Sequence, residues 1–174
     1  DASGETPIER IANRQGRNAV LVVLGSGEPG YEARRLEVAR KLPNLVFLCG
    51  YSEPLADPLY HAGDLFLMPS SFEPCGISQM LAMRRGQPVV AHAVGGLIDT
   101  IDHEETGFLF NGSTPAEQAE AFVDATLGAL ALRTDDPARW HEIRNAAAAK
   151  RFDWASSAQQ TIKALYLDDH DNRV

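Results

Sequence analysis

The residues of this sequence whose types and spacing could do chemistry lie in two glycine-bearing loops. In the stretch DLFLMPSSFEPCGISQMLAMRRG (64–86), Glu73 precedes Pro74, which restricts it to an extended backbone, and Gly76 opens a helical pattern with no side chain in a ligand's way. The N–H groups of Gly76, Ile77 and Ser78 would face that ligand at the start of the helix. Amides and a helix dipole suit phosphate oxygens, and a carboxylate suits sugar hydroxyls, so this constellation fits a sugar phosphate. The same residues also fit a plainer arrangement in which Glu73 only caps the helix. In HAVGGLIDT (92–100), Gly95 and Gly96 likewise either let main chain approach a ligand or form a tight turn.

A third glycine cluster imitates a dinucleotide site. Gly25, Gly27 and Gly30 have the spacing G-x-G-x-x-G between an apolar run and a helical pattern. An NAD site also needs an acidic residue at the end of the next strand to hold the ribose. That strand ends in Leu48-Cys49-Gly50-Tyr51, with no acidic residue before Glu53, and Gly30 follows Pro29 where the helix has barely begun. The expectation is therefore a tight strand-to-helix turn, with Gly25 and Gly27 in backbone conformations that other residues avoid.

Composition narrows the partners. The chain has 174 residues, 44% of them hydrophobic, and a formal net charge of −8, which disfavours nucleic acid and anionic membranes as main partners. Cys49 and Cys75 make neither a disulfide framework nor a zinc site, which points to a reducing, cytoplasmic setting. The histidines (His61, His92, His103, His141, His170) are scattered, so solvated or core roles are expected and no metal ligand cluster. No signal peptide or membrane-length apolar run is visible. The chain starts at Asp1 without methionine, as a fragment would.

The elements that must position these residues alternate. The sequence predicts a short helix over 7–15 after Thr6, a buried strand over 19–24, a helix over 31–41, a strand over 45–50, and a helical turn over 57–62. Strands at 64–69, 88–92 and 106–110 follow, with a helix over 77–85 between the first two, carrying Ile77, Met80, Leu81 and Arg84 on one side and ended by Gly86. Thr114 and Glu117 form a capping box for a helix to about 132; Asp136-Pro137 opens another to about 151, and Asp153 a last one to about 167. Apolar strands separated by helices indicate an α/β fold, a doubly wound parallel sheet flanked by helices. The expected organisation is one domain over 1–174: a polar segment (1–18), a β/α core (19–110), C-terminal helices (111–167) and a tail (168–174).

Over about 20–167 the sequence resembles the bacterial glycogen synthase and plant starch synthase family. The likeness is carried by LGSGEP (24–29), CGY (49–51), GDLFLMPSSFEPCGISQ (63–79), VGGLIDT (94–100), TGFLF (106–110) and FDW (152–154), with the FEPCG and GGLxDT pairing the specific part. The resemblance implies the C-terminal, nucleotide-sugar-binding half of a GT-B fold, which is two Rossmann-like domains. It implies a retaining α-glucosyltransferase moving glucose from ADP-glucose or UDP-glucose to an α-1,4-glucan, with no cofactor. Glu73 would orient the donor glucose; Cys75, Gly76 and Ile77 would line the sugar and diphosphate pocket; Ser78 would lie near the distal phosphate. Tyr51 would stack on the base, and Gly95 and Gly96 would form the loop beside the donor.

Departures are informative. Leu81 stands where related glycosyltransferases carry a second glutamate for the ribose; glycogen and starch synthases commonly lack that glutamate, so Leu81 favours them over the wider group. Ser71 stands where their motif typically has arginine, and residues 1–19 contain no counterpart of the SRLxxQKG segment with its basic pair. In the doubly wound order the first strand is central. If residues 1–18 follow that strand, the sheet lacks its middle, which implies either marginal stability or repair by a second copy or a rearranged N-terminus. Without the acceptor half of the cleft and the basic pair, the isolated chain is expected to be inactive. Two other readings stay open: a sugar-nucleotide-binding module that never turns over, and an NAD-binding oxidoreductase domain.

Overall fold

The computed structural model describes residues 4–167; the tail at 168–174, His170 included, lies outside them. The chain opens on helix α1 (Pro7–Gln15), whose start is set by a capping box. Thr6 Oγ1 accepts from the Glu9 N–H at 3.3 Å, and Glu9 Oε2 accepts from the Thr6 N–H at 2.8 Å. A 3-10 turn (Gly16–Asn18) leads into β1 (Leu21–Gly25), followed by α2 (Pro29–Lys41) and β2 (Leu45–Cys49). Then come α3 (Glu53–Ala62), β3 (Phe66–Met68), α4 (Ser78–Arg84), β4 (Val89–His92), α5 (Gly96–Thr100) and β5 (Gly107–Phe110). The helices α6 (Pro115–Asp135), α7 (Pro137–Ala149) and α8 (Trp154–Ile162) complete the described chain, α8 running into a π-helical turn at Lys163–Leu167.

All strand pairs are parallel, and they form two sheets rather than one. β1 pairs β2 from Leu21↔Leu45 to Gly25↔Cys49, while β3, β4 and β5 make a second sheet with β4 in its centre. In the doubly wound order a further strand would join β1 to β3. Among the described residues no strand precedes Leu21, and residues 7–15 are helical instead. The expected gap in the sheet is therefore present.

β4 shows why the second sheet is apolar throughout. Its side chains alternate between two cores, Val90 toward one and Val89 and Ala91 toward the other. The first core gathers Leu21 and Leu45 from the small sheet, Val90, Phe108 and Phe110 from the large one, Ile11 of α1, Phe122 and Val123 of α6, and Trp140 and Ile143 of α7. The second holds Ala82 and Met83 of α4 with Leu97, Ile101 and Ala147. α1 is clamped to α6 by Arg10, whose Nη1 and Nη2 donate to the two Glu120 carboxylate oxygens at 2.5 and 2.6 Å.

The small sheet departs from the expected buried strand. Only Leu21 of β1 is buried, while Val20 and Val22 are 66% and 41% exposed. With no strand joining β1 to β3 and no helix over that face among the described residues, apolar residues typical of a covered sheet stay in solvent. The seam between the sheets holds a cavity of about 380 Å³, with Val23 and Phe47 on one side and His92 and Phe110 on the other.

Other boundaries move for local reasons. α3 starts four residues earlier than expected, at Glu53 after Ser52, because Pro54 suits a first helical turn; it also tolerates Pro58 inside it. α2 begins at Pro29. α4 buries Gln79, Ala82 and Met83, not the expected side bearing Ile77, Met80, Leu81 and Arg84; Ile77 is 69% exposed. The spacing i, i+3, i+4 is helical as expected, but the inward stripe is shifted round the helix because Gln79 finds buried partners in the preceding loop. Gly86, with φ +75°, follows the end of α4 as expected.

Candidate functional site

The loop from Pro69 to Ile77 leaves the carboxyl end of β3 and enters α4, and the turn Ala93–Gly95 leaves the carboxyl end of β4 and enters α5. Since β3 and β4 are adjacent and parallel, both loops leave the same edge of the sheet, the edge where open α/β sheets bind ligands. The structure joins the loops directly. The N–H of Gly96 donates to the Glu73 carbonyl at 3.0 Å. Gly95 has φ +46°, and a Cβ there would collide with the Glu73 carbonyl oxygen; a Cβ on Gly96 would stand 2.6 Å from the Cys75 carbonyl oxygen. The paired glycines thus serve first to let one loop lie against the other.

Glu73 does not cap α4. Ile77 occupies the N-cap position and no side chain makes a capping hydrogen bond, so the plainer arrangement is corrected. The Glu73 carboxylate is half-buried and has no hydrogen bond or ion pair among the described residues. Proline at 74 and the close packing of its carbonyl against Gly95 hold the main chain and leave the carboxylate for another partner. Around it, Cys75 is exposed, its thiol donating only a long 3.5 Å contact to the Gly76 carbonyl. Gly76 takes φ +79°, open to few residues but glycine. Ser78 is half-buried at the first position of α4.

Tyr51 is set apart from this group. It follows β2 on the other sheet and is 85% exposed, its hydroxyl donating to Glu53 Oε1 at 2.8 Å. That hydrogen bond, and then the negative charge of Glu53, push the phenol pKa above its usual value. An exposed ring held at its tip is a surface on which a planar base can stack. Cys49, before it, has a thiol pushed up by partial burial and then by hydrogen bonding to Glu32.

The glycine cluster at 25–30 forms the expected short strand-to-helix turn, from the end of β1 at Gly25 to the start of α2 at Pro29, but without the unusual backbone conformations expected of Gly25 and Gly27. None of Gly25, Gly27 and Gly30 has positive φ, and a Cβ would meet nothing within 4 Å at any of them. β1 simply runs through Gly25, and Gly30 lies in the first turn of α2. The Gly27 N–H donates to Glu32 Oε1 at 2.8 Å. A carboxylate there is wrong for a pyrophosphate, which would need that N–H for itself.

His61, His92 and His103 each contact main chain through Nδ1. His92 is buried, donates from Nδ1 to the Ser70 carbonyl at 3.0 Å, and stacks on Phe110 with centroids 5.2 Å apart. His103 accepts the Leu109 N–H on Nδ1 at 3.0 Å. Among the described residues no group of three or more His, Cys, Asp or Glu is placed to hold a metal, and no helix is long and apolar enough to cross a membrane. The seam cavity is lined by none of Tyr51, Glu73, Cys75 or Gly96. It belongs to the break between the sheets.

Sequence reasoning missed two buried polar residues behind the loops. Gln79 Nε2 donates to the carbonyls of Cys75 and Gly76 at 2.9 and 3.1 Å and lies 3.3 Å from Thr100 Oγ1. Thr100 Oγ1 donates to the Gly96 carbonyl at 2.7 Å. The available signal was a glutamine at the helical spacing of Ala82 and Met83.

Comparison with known proteins gives matches to glycosyltransferases. Residues 6–130 match the profile of Glycosyl transferases group 1. The chain is 43% identical over 158 residues to a glycogen synthase of Cellvibrio japonicus, covering 85% of this chain and 31% of that protein. It is 40% identical over 160 residues to a glycogen synthase of Thioalkalivibrio sulfidiphilus, covering 86% and 32%. Its fold is similar to the catalytic domain of starch synthase IV from Arabidopsis thaliana bound to ADP and acarbose. There the TM-score is 0.72 at 28% identity, over 91% of this chain and 35% of that one. Anabaena Alr3699/HepE in complex with UDP-glucose gives a TM-score of 0.68 at 26% identity, over 93% and 44%. The chain spans about a third of the length of the curated relatives it matches. A Rossmann-like α/β unit whose coupled loops lie at the carboxyl edge of a parallel sheet, and whose sequence matches that profile over most of its length, belongs to the glycosyl transferases group 1 family.

Proposed function

We propose that this chain is the C-terminal, donor-binding half of a retaining α-glucosyltransferase that extends α-1,4-glucan from ADP-glucose or UDP-glucose. The observation that carries the reading is the unpartnered carboxylate of Glu73, a residue whose main-chain carbonyl accepts the Gly96 N–H and so lies beside the Gly95–Gly96 loop. In this reading Glu73 accepts hydrogen bonds from the donor glucose hydroxyls and orients the sugar at the reacting centre. The Gly76, Ile77 and Ser78 amides receive phosphate oxygens, Cys75 lines the sugar pocket through main chain, and Tyr51 stacks on the base. Similar structures in complex with ADP and with UDP-glucose support a nucleotide-sugar donor of either base.

The protein's contribution is positioning and electrostatic stabilisation of the leaving diphosphate. The basic pair that the resemblance assigns to that task has no counterpart in residues 1–19. Donor binding by this chain is accordingly weak, and glucan elongation requires an acceptor-binding domain that completes the cleft. A cytoplasmic setting fits two free thiols. Calorimetric titration with ADP-glucose, UDP-glucose and NAD tests the proposal. Binding of a sugar nucleotide that weakens in Glu73→Ala and Tyr51→Ala is expected; binding of NAD alone would overturn it.

A further inference from the structure

Gln79 is fully buried at the second position of α4, and its amide has one orientation open to it. Nε2 faces the carbonyl oxygens of Cys75 and Gly76; turned over, the amide would oppose oxygen to two oxygens with no hydrogen between them. That orientation leaves Oε1 buried with no partner, a cost the packing accepts. Gly76 is matched to it, since a Cβ on that residue would run into the same amide.

The consequence follows from peptide planarity. In a trans peptide the C=O and N–H point in opposite directions, and the chain has no cis bonds among its described residues. Drawing the carbonyls of Cys75 and Gly76 inward turns the N–H groups of Gly76 and Ile77 outward, and neither has an acceptor among the described residues. We propose that Gln79 is a positioning residue. Its amide sets these two peptides so that the Gly76 and Ile77 N–H groups face the diphosphate of a sugar nucleotide, and Thr100 ties that setting to the Gly95–Gly96 loop. This rests on the donor-binding reading above.

The test is amide-resolved NMR titration of the chain with ADP-glucose and with UDP-glucose, in wild type, Gln79→Glu and Gln79→Met. Glutamate keeps the shape but, when ionised, sets oxygens against both carbonyls; once protonated it regains a donor. At pH 8, Gln79→Glu is expected to bind about tenfold more weakly than wild type, the loss of roughly one buried hydrogen bond. Binding should recover as the pH falls, while wild type shows no such recovery. Gln79→Met is expected to be weak at every pH, with the Gly76 and Ile77 resonances displaced and that of Tyr51 still responding to the nucleotide. A role in packing alone would move unfolding temperature without a pH-linked recovery, and that result overturns the proposal. So do variants that bind as tightly as wild type. Gln79→Met carries the comparison if Gln79→Glu does not fold. Wild type that binds neither sugar nucleotide refutes the donor-binding reading itself, whereas wild type that binds alongside unaffected variants refutes only the role of Gln79.

Discussion

The Gly96 N–H lies 3.0 Å from the Glu73 carbonyl, so the two loops at the carboxyl edge of the large sheet form one unit. Behind them, Gln79 and Thr100 repeat the link through side chains. A change in either loop is therefore felt by both.

The glycines of the chain should divide sharply under alanine substitution. Gly95→Ala places a Cβ against the Glu73 carbonyl at positive φ, and Gly96→Ala meets Cys75 main chain. Each is expected to lower stability by about 1–3 kcal/mol and to abolish donor binding by displacing Glu73. Gly27→Ala enters open space at an ordinary φ and should be neutral or slightly stabilising. Thermal unfolding with parallel calorimetry measures both; a tolerated Gly96→Ala would break the argument that the loops are interlocked.

Tyr51 separates stacking from hydroxyl chemistry. Its hydroxyl is engaged by Glu53 and its ring is free. Tyr51→Ala should weaken nucleotide binding by about 1–3 kcal/mol, the usual worth of a base stacked on an aromatic side chain. Tyr51→Phe should bind as wild type does. Competition titration with ADP and UDP reads the difference, and equal losses in both variants would assign the role to the hydroxyl instead.

Local signals in the sequence were accurate wherever the chemistry is local. Thr6 with Glu9 and Thr114 with Glu117 form the capping boxes their spacing announces, and Gly86 ends α4. The parallel α/β class was readable because strands such as Val89–His92 are apolar on both faces. The same reasoning failed for β1, since an apolar strand records the cover it is suited to and not whether that cover is present. It failed for Gly25 and Gly27 because spacing says nothing of φ. For the site, Glu73 and the glycine pair were legible as loop residues with unusual freedom. Gln79 was not, because its partners are main-chain carbonyls that become neighbours only when the loop folds back.

Acid should release α1 from α6. The Arg10 guanidinium, by its hydrogen bonds first and then by its charge, holds the Glu120 carboxyl below its ordinary value of 4.5. A carboxylate with a depressed folded-state pKa contributes stability that is fully present above the unfolded value and lost as pH falls through the folded one. The stability difference between wild type and Glu120→Gln should thus be constant above about pH 5.5 and shrink steadily below about pH 4.5. Unfolding temperatures of both proteins across that range decide it; a difference unchanged down to pH 3 would show that the pair carries no linkage.

The break between the sheets makes its own prediction. Among the described residues β1 pairs only β2 and β3 pairs only β4, so each presents an unpaired edge, and Val20 and Val22 add exposed apolar surface beside the first. Unpaired, apolar edges are templates for another strand, and natural edges are blunted by charge, which β1 lacks in Leu21–Gly25. The chain should therefore self-associate, its sedimentation-average mass rising with concentration, and unfold at a low temperature when dilute. Val20→Lys with Val22→Lys puts two charges on that surface at little cost to folding, because neither side chain is buried. The double variant should sediment as a monomer with an unchanged far-UV spectrum. A wild-type chain that stays monomeric at high concentration and unfolds only on strong heating would mean that the edges are protected within the monomer, and the prediction would fail.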